Sequence, residues 1–170
     1  YDAAAFDIGI SNFDGEQEIY DFPDIKNPYS ASLDPQLSNE ISTRSQFDLK
    51  KTLISTNKLD SFINEIRIKE LTNTLIKIDV EQHEPFVLDG MKKMMQDLKP
   101  IILIEILNNE IGDVVNKFMR NYNYNYFKII EGKGIKKISL IESKGTHQER
   151  NFLLVPNNLE IKSLTKFSIT

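Results

Sequence analysis

The chain contains no cysteine, and this absence excludes several kinds of chemistry. Disulfide bonds, thiolate catalysis and cysteine-ligated zinc all require a residue that the chain does not have. No apolar run approaches the roughly 18 residues that a membrane-spanning helix needs, and no signal peptide is visible. Because a chain without cysteine fits the reducing cytosol, we expect a cytoplasmic protein.

The chain also lacks an excess of basic residues. Its 21 Lys and Arg residues are outnumbered by 25 Asp and Glu residues, and the net charge is -4. This charge balance argues against a nucleic-acid partner and against a polybasic membrane-binding patch. With 40% hydrophobic and 27% charged residues over 170 positions, the composition is that of a globular chain with a sizeable core. We therefore expect a single domain over residues 1–170.

The first third of the chain predicts strands and one long loop. The segment AAAFDIGISNFDGEQEIYDF predicts two strands paired as a hairpin around the Asp14-Gly15 turn. Residues 23–46 are polar and contain three prolines, which favours a long surface loop. Residues 50–56 (KKTLIST) predict a strand, and the helical spacing of apolar residues after it predicts a helix over residues 59–71.

From residue 75 onward, predicted strands alternate with predicted helices. The strands are expected at residues 75–79, 100–107, 126–130, 136–141 and 151–155, with helices after the first two. Such alternation is typical of an α/β fold with a mostly parallel sheet, closed here by an antiparallel edge.

The helix after the first of these strands is signalled by Pro85, which suits the first helical turn. One face should be apolar, and the residues expected on it are Val87, Met91, Met94, Met95 and Leu98. Gly90 inside this helix costs about 1 kcal/mol relative to Ala, which suggests close packing against a neighbour. The next helix should also have one apolar face, and the residues expected on it are Val114, Val115, Phe118, Met119 and Tyr122.

The densest group of titratable residues lies in LIKIDVEQHEPFVLDGM, residues 75–91. Asp79, Glu81, His83 and Glu84 follow directly after a predicted strand, and Glu105 lies near the end of the next. In open α/β sheets, ligands bind beyond the carboxyl ends of the strands. These side chains are therefore a candidate functional site.

The same residues also have a structural interpretation and a metal-binding one. Carboxylates before a helix stabilise the positive end of its dipole, and Glu84 could simply be the N-cap. Alternatively, Asp79, Glu81 and His83 could bind magnesium, which prefers oxygen ligands, as in a metal-dependent hydrolase. Spacing alone leaves these alternatives open.

Three other motifs are better explained without function. EGKGIKK, residues 131–137, joins two predicted strands and lacks phosphate-loop spacing, so we expect a hairpin turn. The tyrosines of NYNYNY, residues 121–126, are expected to end a helix and begin a strand. His147 lies in a polar segment and is expected at the surface.

The central segment resembles a known family. LIKIDVEQHEPFVLDGM followed by KPIILIEIL resembles the signature of FkbM-family methyltransferases, whose pattern contains DvEGhE before a helix and kP before a strand. GISNFDGEQEIYDF, Ser32-Leu33, LDSF and NFLLVPN resemble flanking parts of that family. The resemblance covers residues 5–157.

The resemblance implies a class I S-adenosylmethionine-dependent methyltransferase fold, with a seven-stranded Rossmann-like sheet. It also implies methyl transfer to a hydroxyl of a sugar or another small metabolite. Asp79 and Glu81 would lie beside the methyl donor and the acceptor, and one of them would take the hydroxyl proton. Because they alternate on an extended chain, both should point the same way from the strand end.

The other site residues follow from the same resemblance. His83 is the remaining nearby base, Val80 and Ser11 are expected with Asp79 at the cofactor, and Glu84 and Glu105 at the acceptor. No metal ion is implied.

The sequence departs from the family pattern at two points. Gln82 stands where the pattern has Gly, which puts the loop geometry in question. The glycine loop D-x-G-x-x-x-G is absent, and the first residue is Tyr1, not Met. We therefore expect the C-terminal portion of a methyltransferase, with open sheet edge and apolar surface covered by a missing N-terminal segment or by a second copy. The alternative is a non-catalytic interaction module derived from such a fold.

Overall fold

The structure is a computed structural model that describes most of the chain: residues 3–21, 31, 33, 50–66, 74–143 and 149–159. Its strands and helices, in chain order, are β1 (Gly9–Ile10), β2 (Gly15–Asp21), β3 (Lys50–Asn57), α1 (Leu59–Glu65), β4 (Leu75–Ile78), α2 (Glu84–Asp89), α3 (Lys92–Asp97), β5 (Ile101–Glu105), α4 (Asn109–Met119), β6 (Tyr124–Ile130), β7 (Gly134–Ile138) and β8 (Asn151–Pro156). Most of the predicted loop at residues 23–46, the end of the predicted helix at residues 67–71, and His147 lie outside the described residues.

The larger sheet is mixed rather than mostly parallel. Its strand order is β4-β5-β8-β6-β7, and only β4 and β5 are parallel neighbours. β8 lies between β5 and β6 and runs antiparallel to both, and β6 and β7 form an antiparallel hairpin with its turn at residues 131–133. The α/β class and the hairpin are therefore confirmed. The prediction of a mostly parallel sheet is wrong for the described strands, because the last strand fills the space between the two strands that α4 connects.

The smaller sheet corrects the predicted N-terminal hairpin. Both predicted strands exist, but each pairs with β3, in the order β1-β3-β2, so they do not pair with each other. The Asp14 carboxylate at the turn accepts hydrogen bonds from Lys58 N at 2.7 Å and from Ser61 Oγ at 2.8 Å. The Asp-Gly turn is thus bound to the start of α1, and the strands on its two sides stand apart with β3 between them.

One apolar core joins the larger sheet to α2, α3 and α4. The side chains with no exposed surface come from strands, helices and the segments that join them: Leu88, Met91, Ile102, Ile104, Ile106, Val115, Met119, Phe152 and Leu154. Tyr124 is buried where NYNYNY enters β6, as expected, and its hydroxyl donates to Pro100 O at 2.9 Å. The prediction that Val114 belongs to the apolar face of α4 is wrong, because half of its surface is exposed.

The predicted helix after β4 is two short helices, broken at Gly90 and Met91. Gly90 packs so closely on the segment directly after β1 that a Cβ atom there would overlap the carbonyl oxygen of Ser11. The predicted close packing is therefore confirmed. Four of the five residues predicted on the apolar face are buried, whereas Leu98 is 40% exposed, because it comes after the last residue of α3.

Candidate functional site

A sharp turn directly after β4 positions the candidate site. His83 N donates to Val80 O at 3.2 Å, and the two residues between them, Glu81 and Gln82, have φ angles of 48° and 74°. A left-handed conformation costs a non-glycine residue about 1–2 kcal/mol. Asp79 and Glu81 therefore do not alternate along an extended chain, and that part of the sequence analysis is wrong.

The buried carboxylate of Glu84 forms hydrogen bonds with the backbone of this turn. Its side chain is 1% exposed, and Oε1 accepts long hydrogen bonds from Val80 N at 3.4 Å and Gln82 N at 3.3 Å. Burial raises the pKa of Glu84 to about 7, although the backbone N–H groups oppose that rise. Oε2 has no hydrogen-bond partner among the described residues.

The predicted capping role of Glu84 is wrong. The N-cap position of α2 is occupied by His83, Glu84 is the first helical residue, and Pro85 is the second. The Glu84 carboxylate points back to the turn instead of capping the helix. Contact between Glu84 and an acceptor stays a prediction.

Gln82 joins this turn to the loop after β5. Its Oε1 accepts a hydrogen bond from Asn108 Nδ2 at 2.9 Å. Asn108 is the N-cap of α4, because its Oδ1 accepts from Ile111 N at 2.9 Å. The residue that departs from the family pattern therefore links the loops that follow two neighbouring strands.

Two carboxylates meet where β4 and β5 end. Ile78 is in register with Ile104, so Asp79 and Glu105 are neighbours, close enough for each carboxyl to shift the pKa of the other. The Lys77 ammonium, 2.5 Å from Asp79 Oδ2, lowers the pKa of Asp79. Burial and then the Asp79 carboxylate raise the pKa of Glu105. The pKa shifts of the two carboxyls are thus opposite in direction, lowered for Asp79 and raised for Glu105.

Glu81 and Arg150 complete this charged group. Burial, followed by the charge of Asp79, raises the pKa of the partly buried Glu81, while Arg150 opposes the rise. Arg150 Nη1 lies 3.7 Å from Glu105 Oε1. Sequence reasoning missed Arg150 because no local pattern shows that β8 pairs with β5, with Asn151 opposite Glu105.

His83 faces another part of the molecule. It is 4% exposed, its Nε2 lies 3.0 Å from the Oγ of the fully buried Ser11, and its ring stacks on Phe86. Among the described residues, no three His, Asp or Glu side chains are grouped as metal ligands. The described residues therefore bring Asp79, Glu81 and Glu105 together, whereas His83, the third ligand of the alternative magnesium site, lies apart from them.

Two adjacent cavities lie on the β1 side of the turn. One of about 240 Å³ is lined in part by Ser11, His83 and Phe86, and one of about 480 Å³ by Val80 and apolar residues of β1 and β3. Leu33 lines both cavities. Two residues expected at the cofactor, Ser11 and Val80, therefore border neighbouring spaces, and their contact with a cofactor stays a prediction.

The comparison with known families agrees with the resemblance seen in the sequence. The family described as the methyltransferase FkbM domain matches residues 3–126, well over half of the chain. The chain therefore belongs to the FkbM methyltransferase family. No curated protein and no solved structure matches the chain. In the part of the chain that the structure describes, no helix is long and apolar enough to span a membrane.

Proposed function

We propose that the chain carries the acceptor side of an S-adenosylmethionine-dependent O-methyltransferase, which acts on a hydroxyl of a sugar or another small metabolite. The observation that supports this most directly is the group of Asp79, Glu81 and Glu105 at the carboxyl ends of two parallel strands, in a chain of the FkbM methyltransferase family. This is the end of an α/β sheet where ligands bind.

The described residues fit a sulfonium methyl donor. A sulfonium is a cation, and the ionised Asp79 with the nearby Glu81 offers it a favourable electrostatic environment. Asp79, Val80 and Ser11 would hold the donor, and the apolar cavity at Val80 offers space for its uncharged parts. When bound, the donor supplies a methyl group that passes to the acceptor oxygen as the carbon–sulfur bond breaks.

The pKa shifts of Asp79 and Glu81 are opposite in direction and support different roles for the two carboxylates. The lowered pKa of Asp79 keeps it ionised, so it can accept a hydrogen bond from the acceptor hydroxyl and orient that hydroxyl. The raised pKa of Glu81 brings it closer to neutral pH, where a general base is most effective. We therefore assign removal of the hydroxyl proton to Glu81 and positioning to Asp79.

The test compares Asp79→Asn and Glu81→Gln, which preserve side-chain shape, with Glu131→Gln at the exposed β6–β7 turn. Single-turnover methyl transfer from a radiolabelled donor would be measured on a panel of sugars and small alcohols. We expect each site variant to lose about 10²–10⁴ in rate if it removes acid–base or positioning catalysis. Melting temperatures should stay nearly unchanged, and Glu131→Gln should keep full activity.

The pH profile separates the two roles. Because the Glu81 base must be ionised, the rate should rise with pH, and this rise should disappear in Glu81→Gln but remain in Asp79→Asn. If both variants kept the full rate, the carboxylates would be structural and the proposal would be wrong. The absence of calorimetric donor binding, together with no transfer to any acceptor, would favour the non-catalytic interaction module.

A further inference from the structure

A second cleft lies at the opposite end of the larger sheet, where β5 and β6 begin and β8 ends. Its volume is about 530 Å³, and a neighbouring cleft of about 350 Å³ shares Gln96, Lys99 and Asn158 with it. Such volumes lie in the range of about 300–1,000 Å³ that is usual for small-molecule sites. From Lys99 to Glu105 the chain rises by about 20 Å at strand spacing, so this cleft is remote from the carboxylates.

The lining of this cleft is rich in carboxamides. Five of its residues carry one: Gln96, Asn121, Asn123, Asn157 and Asn158. Among the described residues, no hydrogen bond involves the side-chain amides of Gln96, Asn123, Asn157 or Asn158. Each amide offers two donors and an acceptor, which matches neighbouring hydroxyl groups that both donate and accept.

Ring stacking and hydrogen bonds connect parts of the cleft lining to neighbouring residues. The Tyr122 ring stacks on Phe118 with centroids 5.3 Å apart, and offers an apolar ring beside the amides. Lys99 has a φ of 48°, and its N–H donates to Met94 O at 3.2 Å. The next residue, Pro100, accepts the Tyr124 hydroxyl at 2.9 Å. A left-handed residue directly after the C-cap is a common helix ending, and these hydrogen bonds tie this part of the lining to α3 and β6.

The lining excludes several other ligands. Among the residues that the structure describes, no carboxylate lines the larger cleft and Lys99 is its one charged residue, so this lining offers a cation no negatively charged oxygen ligand. A peptide that adds a strand needs a free sheet edge. β5, β6 and β8 each have a neighbour on both sides, so none of them offers one.

We propose that this cleft binds a neutral saccharide through its carboxamides, with the Tyr122 ring against an apolar face of a sugar. The argument depends on the lining of the cleft and is independent of the chemistry proposed for the carboxylates. A saccharide bound here would lie far from the carboxylates at the other end of the sheet.

The test is an NMR titration of the ¹⁵N-labelled full chain with chitotriose, cellotriose and maltotriose. We expect at least one of these probes to shift the side-chain amide signals of Asn123, Asn157 and Asn158 in a saturable way. The double variant Asn123→Ala/Asn158→Ala should weaken that binding about tenfold or more, because it removes two sets of hydrogen bonds. Asn64→Ala removes a carboxamide from α1, outside this cleft, and should leave the affinity unchanged.

Three outcomes would overturn the proposal. The first is the absence of any shift at these signals with all three probes at millimolar concentration. The second is equal affinity of the folded double variant, with folding checked by its melting curve and Asn158→Ala used alone if the double variant melts early. The third is a response to a mixture of unstructured peptides but to no saccharide.

Discussion

At the residue scale, the geometry of the candidate site depends on two left-handed residues, Glu81 and Gln82. Glycine, which the family pattern has at the second position, adopts this conformation at little cost. Gln82 adopts it too, and its side chain bonds to Asn108 at the start of α4. The departure from the pattern is therefore compatible with the turn and adds a contact to it.

The conformational requirement at residue 82 can be measured with a matched pair of variants. Gln82→Val and Gln82→Gly both lose the hydrogen bond to Asn108, so the difference between them reports the backbone alone. Because a β-branched residue is strained at a φ of 74°, Gln82→Val should be less stable than Gln82→Gly by about 1–2 kcal/mol. Urea unfolding measures this difference, and equal stabilities would show that the turn relaxes to another conformation.

Glu84 should make stability depend on pH. Burial raises its pKa from 4.5 to about 7, so the folded chain binds a proton that the unfolded chain has released between these pH values. The stabilisation is therefore fully present below pH 4.5 and is lost as the pH rises to about 7, by up to about 3 kcal/mol. Melting curves of the wild type and Glu84→Gln across this range should diverge, with the wild type losing more stability. If the melting temperatures of the two proteins changed with pH in parallel, the raised pKa of Glu84 would be contradicted.

At the element scale, two helices are capped by side chains from other parts of the chain. Neither α1 nor α3 has a side-chain bond from its own N-cap residue. Asp14 accepts from Lys58 N at the start of α1, and Asp60 accepts from the second and third backbone N–H groups of α3 at 2.8 and 2.9 Å. The DGE and LDSF segments, which carry part of the family resemblance, thus hold the smaller sheet, α1 and α3 together.

The break between α2 and α3 can be tested at Gly90. A Cβ atom there would overlap backbone atoms of Ser11, which cannot rotate away, so Gly90→Ala should destabilise the protein by about 2–3 kcal/mol. Gly112→Ala in α4 is the matched control. Its Cβ would lie 3.3 Å from Ile141 O, and the gain in helix propensity of about 1 kcal/mol offsets that crowding. Denaturant unfolding of both variants gives the comparison, and similar losses of stability would argue against the close contact with Ser11.

At the scale of the whole molecule, the two sheets differ in how completely they are covered. β5 and β8 are paired on both sides and carry fully buried residues such as Ile102, Ile104, Phe152 and Leu154. β2 is an edge strand among the described residues, and Leu53 on β3 is 61% exposed. The free energy of opening should therefore be greatest in the larger sheet.

Native-state hydrogen exchange measured by NMR tests this order. Amides of β5 and β8 should exchange only through global unfolding, whereas those of β2 should open at a free energy lower by about 2 kcal/mol or more, because less apolar surface is exposed when they open. Uniform protection across both sheets would show a single cooperative unit and contradict the expectation.

Much of the fold and the positions of the candidate site residues after two strands could be predicted from the sequence because they depend on local pattern. The apolar runs LIKI and IILIE became β4 and β5, and the periodic segments became helices. The position of Asp79 and Glu105 after these strands follows from the same runs, and parallel pairing brings them together. The segment that resembles the FkbM signature is local as well, and the family match confirms it.

The tertiary structure alone decided the arrangements that depend on residues distant in sequence. β8 enters between β5 and β6 because it can pair with both, and no property of residues 151–156 specifies which neighbours it will have. That pairing brings Arg150 to Glu105. The left-handed turn at Glu81 and Gln82 is likewise unfavourable in isolation and persists because Glu84 and Asn108 bond to it. Local propensity selects strands and helices, but the free energy of such contacts appears only once separate segments have met.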